Sequence, residues 1–499
     1  MIRIAWPCVF LTVLSLLAAD VASAQPAYCR GDPVLPRRGY FASSLPDELR
    51  DLRGSGVVVG IVYTAVDWEH DAFEMAGSDS TRIERIYDWN TTDPAAGREW
   101  TRAQIDSLRR TDRTDLTRGG GDAGAPPPDR TSHGTAVALL AAGDARDCQG
   151  VAPGADLVIF LPGDGLPSDI WHAVQYIFAH AGDRPAVACV PRGTIDDPTA
   201  ARDLLPLPAF GSSPNRIIVA AAGNLGDRDV HASAQLSNVT GRIEFPIRVP
   251  ASDAWSGGVL VNAYYERACP VTVSLVDPNG DVLATVEPGG FEARPGLFRL
   301  QNGAVTSSSK GKVILTLTNR HRLERAEEWR LVLEPSGACA SGRIDAWVVV
   351  PRNPLPVGAG EWEGVRFTAH TSDSLLVEWP ASLPGVLAVG GFDSRTGRIA
   401  SFSSPGWTGA AGAKPDFAAP ATCLQVLRSS RHEGAAAGAY PVFDGTSEAT
   451  AIVAGLVALV LERSDVPLGL PEVRERLRAL FEIDGAPPDH RFGYGKLLD

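Results

Sequence analysis

Three short segments hold the residues able to do chemistry. Ser132-His133-Gly134-Thr135 sets an imidazole between a loop and an apolar run that reads as a helix, beside a glycine that permits close backbone approach. Asp444-Gly445-Thr446-Ser447 sets a hydroxyl directly before a long apolar helix. Ala221-Ala222-Gly223-Asn224 ends a buried strand in a carboxamide. Each has a structural explanation on its own: a core histidine, a helix N-cap, a turn asparagine. Together they form an acyl-transfer set, with His133 as general base and Ser447 as nucleophile. Asn224 and the N-terminus of the following helix would stabilise the oxyanion. No Gly-x-Ser-x-Gly elbow surrounds Ser447, which argues against an unrelated α/β-hydrolase.

The elements that must position these groups follow from the apolar pattern. Val57–Val62, Leu157–Leu161, Ala186–Val190 and Ile217–Ala221 are continuous apolar runs, as expected of parallel strands buried on both faces. Crossovers separate them, so the fold class is α/β, a doubly wound, mostly parallel sheet. The character changes near Asn238. Val271–Val276, the turn Asp277-Pro278-Asn279-Gly280 and Val282–Val286 read as a hairpin, and strands follow at 313–318, 329–333 and 344–350 without a helical pattern. We expect an all-β jelly-roll or sandwich insert over 238–375, splitting one α/β domain into 51–237 and 376–499 behind an N-terminal extension, 25–50.

With their flanks, the three segments resemble the subtilisin-like serine proteases (subtilases, peptidase family S8). The matches are His133-Gly134-Thr135, Gly150-Val151-Ala152-Pro153-Gly154-Ala155, Ala222-Gly223-Asn224, and Gly445-Thr446-Ser447 with Ala449-Thr450. Phe402-Ser403-Ser404-Pro405-Gly406, Lys414-Pro415-Asp416, Ala419-Pro420 and Gly493-Tyr494-Gly495 extend them. The β insert is similar to that of the clostridial germination subgroup. The resemblance implies a secreted endopeptidase acting through a Ser447 acyl-enzyme, with Asn224 as oxyanion donor and Pro191-Arg192-Gly193 as the substrate-pairing segment.

The chain departs from the family at the fourth catalytic position. The register of the first strand and the downstream Asp67 and His70 put Tyr63 where the family has an aspartate, and Ala65 where it has glycine. That aspartate orients the histidine and stabilises the imidazolium; its loss costs about 10⁴-fold, or roughly 5–6 kcal/mol of barrier. Asp67, Glu69 and Asp129 lie near enough in sequence to be weighed as substitutes, and rescue by them is not the expectation. Pro191 further removes a backbone donor, and 25–56 is short for an inhibitory pro-domain. The expected function is therefore attenuated proteolysis, the alternative a catalytically dead pseudoprotease that binds a peptide or partner.

Arg3, the apolar stretch from Cys8 to Ala19 and Ala22-Ser23-Ala24 read as a signal peptide over 1–24, implying a secreted or periplasmic protein. Cys29, Cys148, Cys189, Cys269, Cys339 and Cys423 then remain; Cys269–Cys339 is the expected disulfide and Cys189 a buried thiol. With 44% hydrophobic residues, 21% charged residues and a net charge of −13, disorder is excluded and a nucleic-acid partner disfavoured. A peptide or protein substrate is expected, the β insert offers a surface for a further protein partner, and no membrane span, metal or cofactor is expected.

Overall fold

The computed structural model describes residues 40–498 apart from 90–92, 94–96, 111–124, 128, 130–131, 146–148, 164, 196–210, 252–257, 305–308, 319–324, 350–363, 410–411, 427–441 and 484–486. The signal-peptide reading and Cys29 and Cys148 fall outside them.

The α/β part is built on a nine-stranded sheet. Its centre runs in the order Leu387–Asp393, Arg216–Ala221, Ala186–Val190, Val58–Val62, Asp156–Leu161, Ile83–Asp88, all parallel. Antiparallel strands Arg98–Thr101 and Arg398–Ile399 finish the two edges, and Phe417–Pro420 pairs in parallel with Leu387–Asp393. The apolar run at Val57–Val62 is uninterrupted because neighbouring side chains serve opposite faces. Val59 and Ile61 join the core under the helices His133–Ala142 and Thr446–Glu462, whereas Val58 and Val62 pack with the helix Pro167–Ala181. Gly60 sits where that last helix crosses; a Cβ there would lie 2.5 Å from Ile177.

The helix Thr446–Glu462 is buried from Thr446 to Leu461, so it runs through the interior and not along the surface. It packs on His133–Ala142, which is buried from Gly134 onward, and against the sheet. Two helices carrying the imidazole and the hydroxyl near their first residues are thereby held side by side.

Between Ala221 and Leu387 the chain forms two antiparallel sheets, of five and six strands, around a separate apolar core that includes Phe245, Val261, Leu331 and Trp347. The strand His231–Leu236 pairs with Gly342–Val349, so the β insert takes up chain ahead of residue 238, where the sequence pattern places its start. His231 is fully buried against Trp347, ring centroids 4.6 Å apart, and reaches Asp345 at 3.1 Å. The Cys269–Cys339 disulfide joins residues 70 apart within this insert, Cys189 is a buried free thiol, and Cys423 is disulfide-bonded too.

Candidate active site

His133 opens its helix under tight local control. Asp129 accepts from the backbone N–H of Ser132 and of Thr135, both at 2.9 Å, and from the Thr135 hydroxyl at 2.6 Å. Ser132 takes a left-handed conformation, φ 61°, a strained geometry for a non-glycine residue. Gly134 allows the helix start to abut the first strand's end, since a Cβ there would fall 1.9 Å from the Ala65 carbonyl oxygen.

Tyr63 occupies the end of that strand. Its ring stacks on His133, centroids 4.9 Å apart and planes 23° from parallel, and so meets the face of the imidazole. Burial, with only partial relief from Arg192, pushes the phenol up to about 12, so it stays neutral at physiological pH. Phe443 closes the site edge-on to His133 at 5.5 Å. His133 Nδ1 is sealed from solvent and, among the described residues, has no hydrogen-bond partner.

The residue that engages His133 is Glu448. Its side chain is fully buried, and Oε1 lies 3.1 Å from Nε2, within ion-pair distance but without hydrogen-bond alignment. Burial disfavours the charged ring, but the Glu448 carboxylate, with a smaller contribution from Asp129, outweighs it and holds His133 above the ordinary imidazole value. Asp129 spends three of its acceptor positions on the helix start and contributes to His133 only as a nearby charge. Sequence reasoning passed over Glu448. The available signal was a lone acid next to Ser447 in a run otherwise too apolar to face water.

Ser447 lies in the helix's first turn and is nearly buried. Its hydroxyl donates to the Pro191 carbonyl oxygen at 2.9 Å. Asn224 is tied to the same helix start, its Oδ1 accepting from the Thr446 backbone N–H and hydroxyl, both at 3.0 Å. Gly223 N–H in turn donates to the Thr446 hydroxyl at 3.2 Å. Pro191, Asn224, Ser447 and, through Glu448, His133 are therefore gathered at one place. Arg192 is half-buried and directed toward Gly165, where a Cβ would come 2.6 Å from its Cζ; Gly193 is exposed.

A sequence model of the subtilase family, peptidase S8, matches residues 54–314 and 364–495. The chain belongs to the subtilases. In sequence this subtilase is 34% identical over 128 residues to subtilisin amylosacchariticus of Bacillus subtilis subsp. amylosacchariticus and to subtilisin J of Geobacillus stearothermophilus. Those matches span 26% of this chain and 29% of each relative. In fold this subtilase is similar to the CspB protease of Clostridium perfringens, with a TM-score of 0.73 and 20% identity over 92% of this chain and 95% of that one. The likeness extends through the β insert. Among the described residues of this subtilase, no His/Cys/Asp/Glu group is arranged to hold a metal, and no helix is long and apolar enough to cross a membrane.

Proposed function

We propose that this subtilase is an exported serine endopeptidase of low turnover. Ser447 Oγ attacks the peptide carbonyl carbon and its proton passes to His133 Nε2. Asn224, whose Oδ1 is engaged with Thr446, turns its Nδ2 to the oxyanion together with the Ser447 N–H at the helix N-terminus. His133 then protonates the leaving amine, and water repeats the sequence on the acyl-enzyme. Pro191, Arg192 and Gly193 line the substrate. The observation that carries this reading is the joint anchoring of Asn224 and Ser447 at the start of one buried helix.

Two features account for low turnover. Tyr63 offers His133 a neutral ring face and no anion at Nδ1. Glu448 holds Nε2, the nitrogen the serine needs, and favours the protonated ring that cannot act as a base. The same pair favours a second reading, a pseudoprotease that retains a peptide-binding cleft and engages a partner through that cleft or the β insert.

A serine-reactive fluorophosphonate separates the two. Slow labelling of the mature protein, abolished in Ser447→Ala and accompanied by Ser447-dependent peptide turnover, supports the enzyme. Absence of both in the wild type removes the enzyme and leaves the binding protein.

A further inference from the structure

The segment Glu378-Trp379 is stitched into the floor beside the nucleophile. Glu378 N–H donates to the Ala222 carbonyl at 2.9 Å, and Trp379 exchanges backbone bonds with Thr194 at 2.9 and 3.0 Å. It thus spans the gap between the Pro191–Gly193 segment, which accepts from Ser447, and the Gly223-Asn224 segment. The Glu378 side chain fills the space that two glycines leave. A Cβ on Gly193 would lie 2.6 Å from Glu378 Oε2, and one on Gly223 would lie 2.7 Å from its Cδ.

This carboxylate is half-buried and, among the described residues, has neither a hydrogen bond nor an ion pair. Burial pushes it up to about 7, with no neighbouring charge contributing. Arg192, the nearest cation in sequence to the slot, points away toward Gly165 and is influenced by Tyr63 and Asp169. A carboxylate kept for structure in such a setting normally has donors around it. One left unpaired between two glycines, beside the residues that hold Ser447 and Asn224, suits a cationic guest.

A peptide whose carbonyl carbon rests at Ser447 Oγ and whose carbonyl oxygen faces Asn224 drops the side chain of that same residue between the two glycine-bearing segments. We propose that Glu378 is a specificity-determining residue that selects a lysine or arginine side chain at the residue whose carbonyl Ser447 approaches. The inference rests on the reading of Ser447 as the nucleophile for its geometry, but not on turnover.

The test uses binding by the full-length mature Ser447→Ala protein, which cannot cleave. Fluorescent tetrapeptide amides differing only in a last residue of lysine, arginine, norleucine or glutamate are titrated by anisotropy. We expect the basic peptides to bind at least tenfold more tightly than norleucine, and glutamate weakest. The isosteric Glu378→Gln should weaken the lysine peptide at least tenfold and erase its advantage, while Glu378→Asp keeps a preference for a base. Equal affinity for lysine and norleucine, a lysine preference that survives Glu378→Gln, or no binding of any peptide at millimolar concentration overturns the proposal. Fluorophosphonate labelling of the wild type reports on Ser447 separately. A basic preference without labelling therefore defeats the enzyme reading and leaves the selective slot standing.

Discussion

The His133–Glu448 contact makes a prediction that a simple repair of the triad would not. Placing an aspartate at residue 63 supplies an acceptor on the Nδ1 side, and in an otherwise intact site that is worth about 10⁴-fold, or roughly 5–6 kcal/mol. Here Nε2 is held 3.1 Å from a carboxylate with no solvent exposure. At an effective dielectric near 20, full charges at that separation attract by about 5 kcal/mol before desolvation is subtracted. That is comparable to the gain sought. A second carboxylate at position 63 would stabilise the imidazolium further, so Tyr63→Asp alone should raise kcat/KM no more than about tenfold. Glu448→Met, which removes the charge but keeps an unbranched chain, should also gain no more than about tenfold, because no described residue supplies an acceptor at Nδ1. The double variant should approach the full 10⁴-fold, a coupling of about 3 kcal/mol between the two sites. An internally quenched peptide, with Ser447→Ala as background, measures all four corners of the cycle. Full activity in Tyr63→Asp with Glu448 intact would refute the argument, as would a double variant no better than its parents.

Other expectations follow from the same contacts. The raised pKa of His133 means that the base form is reached only above the usual 6.5, so the rate of labelling at Ser447 should still climb past pH 7, and Glu448→Met should shift that rise to lower pH. In stability the sign is fixed by the same shift: the pair stabilises the fold fully below about pH 6.5 and less as pH rises through the folded pKa, so the deficit of Glu448→Met measured by urea unfolding should shrink from pH 6 to pH 9. In the insert, burial works against the Asp345 charge, but hydrogen bonds from His231 and Arg343 hold the group at about 2. Asp345→Asn should therefore cost about 2 kcal/mol at neutral pH, a difference that vanishes between pH 4 and pH 2 in thermal melts. Replacing Cys269 and Cys339 by serine releases a constraint over 70 residues and should lower stability by about 4 kcal/mol, read by denaturant titration.

What could be read without coordinates was whatever a local pattern encodes. Uninterrupted apolar strands, alternating strands in the insert and glycines beside His133 and Ser447 all leave a one-dimensional trace, and the nearness of Cys269 to Cys339 followed from one β-rich segment. The end of the first strand could be placed from its apolar run, but the stacking of Tyr63 on the imidazole face could not. Glu448 was missed because an acid in the first turn of a helix ordinarily complements the helix dipole at the surface. Only the burial of the whole first turn turns it toward His133. Glu378 was missed for a different reason. Its setting is made by backbone from residues 193, 223 and 378, and nothing in any one segment announces the others.

The interrupted sheet has a consequence for the order in which the molecule is made. Arg216–Ala221 lies beside Leu387–Asp393, yet the whole β insert is threaded between them. Joining two such strands through a flexible chain of that length costs about 2–3 kcal/mol more than through a ten-residue loop, and slows the encounter. The two ends of the insert are fastened together, however: Phe367 N–H donates to the Asp229 carbonyl and Ser233 N–H to that of His370, each at 2.9 Å. An insert that collapses first turns a long tether into a short one and delivers the returning strand to its neighbour. The helix bearing Ser447 comes later still in the chain, and because Thr446 at its start holds Asn224 and its side packs on the helix of His133, the carboxamide and the imidazole take their final positions only once that last helix docks.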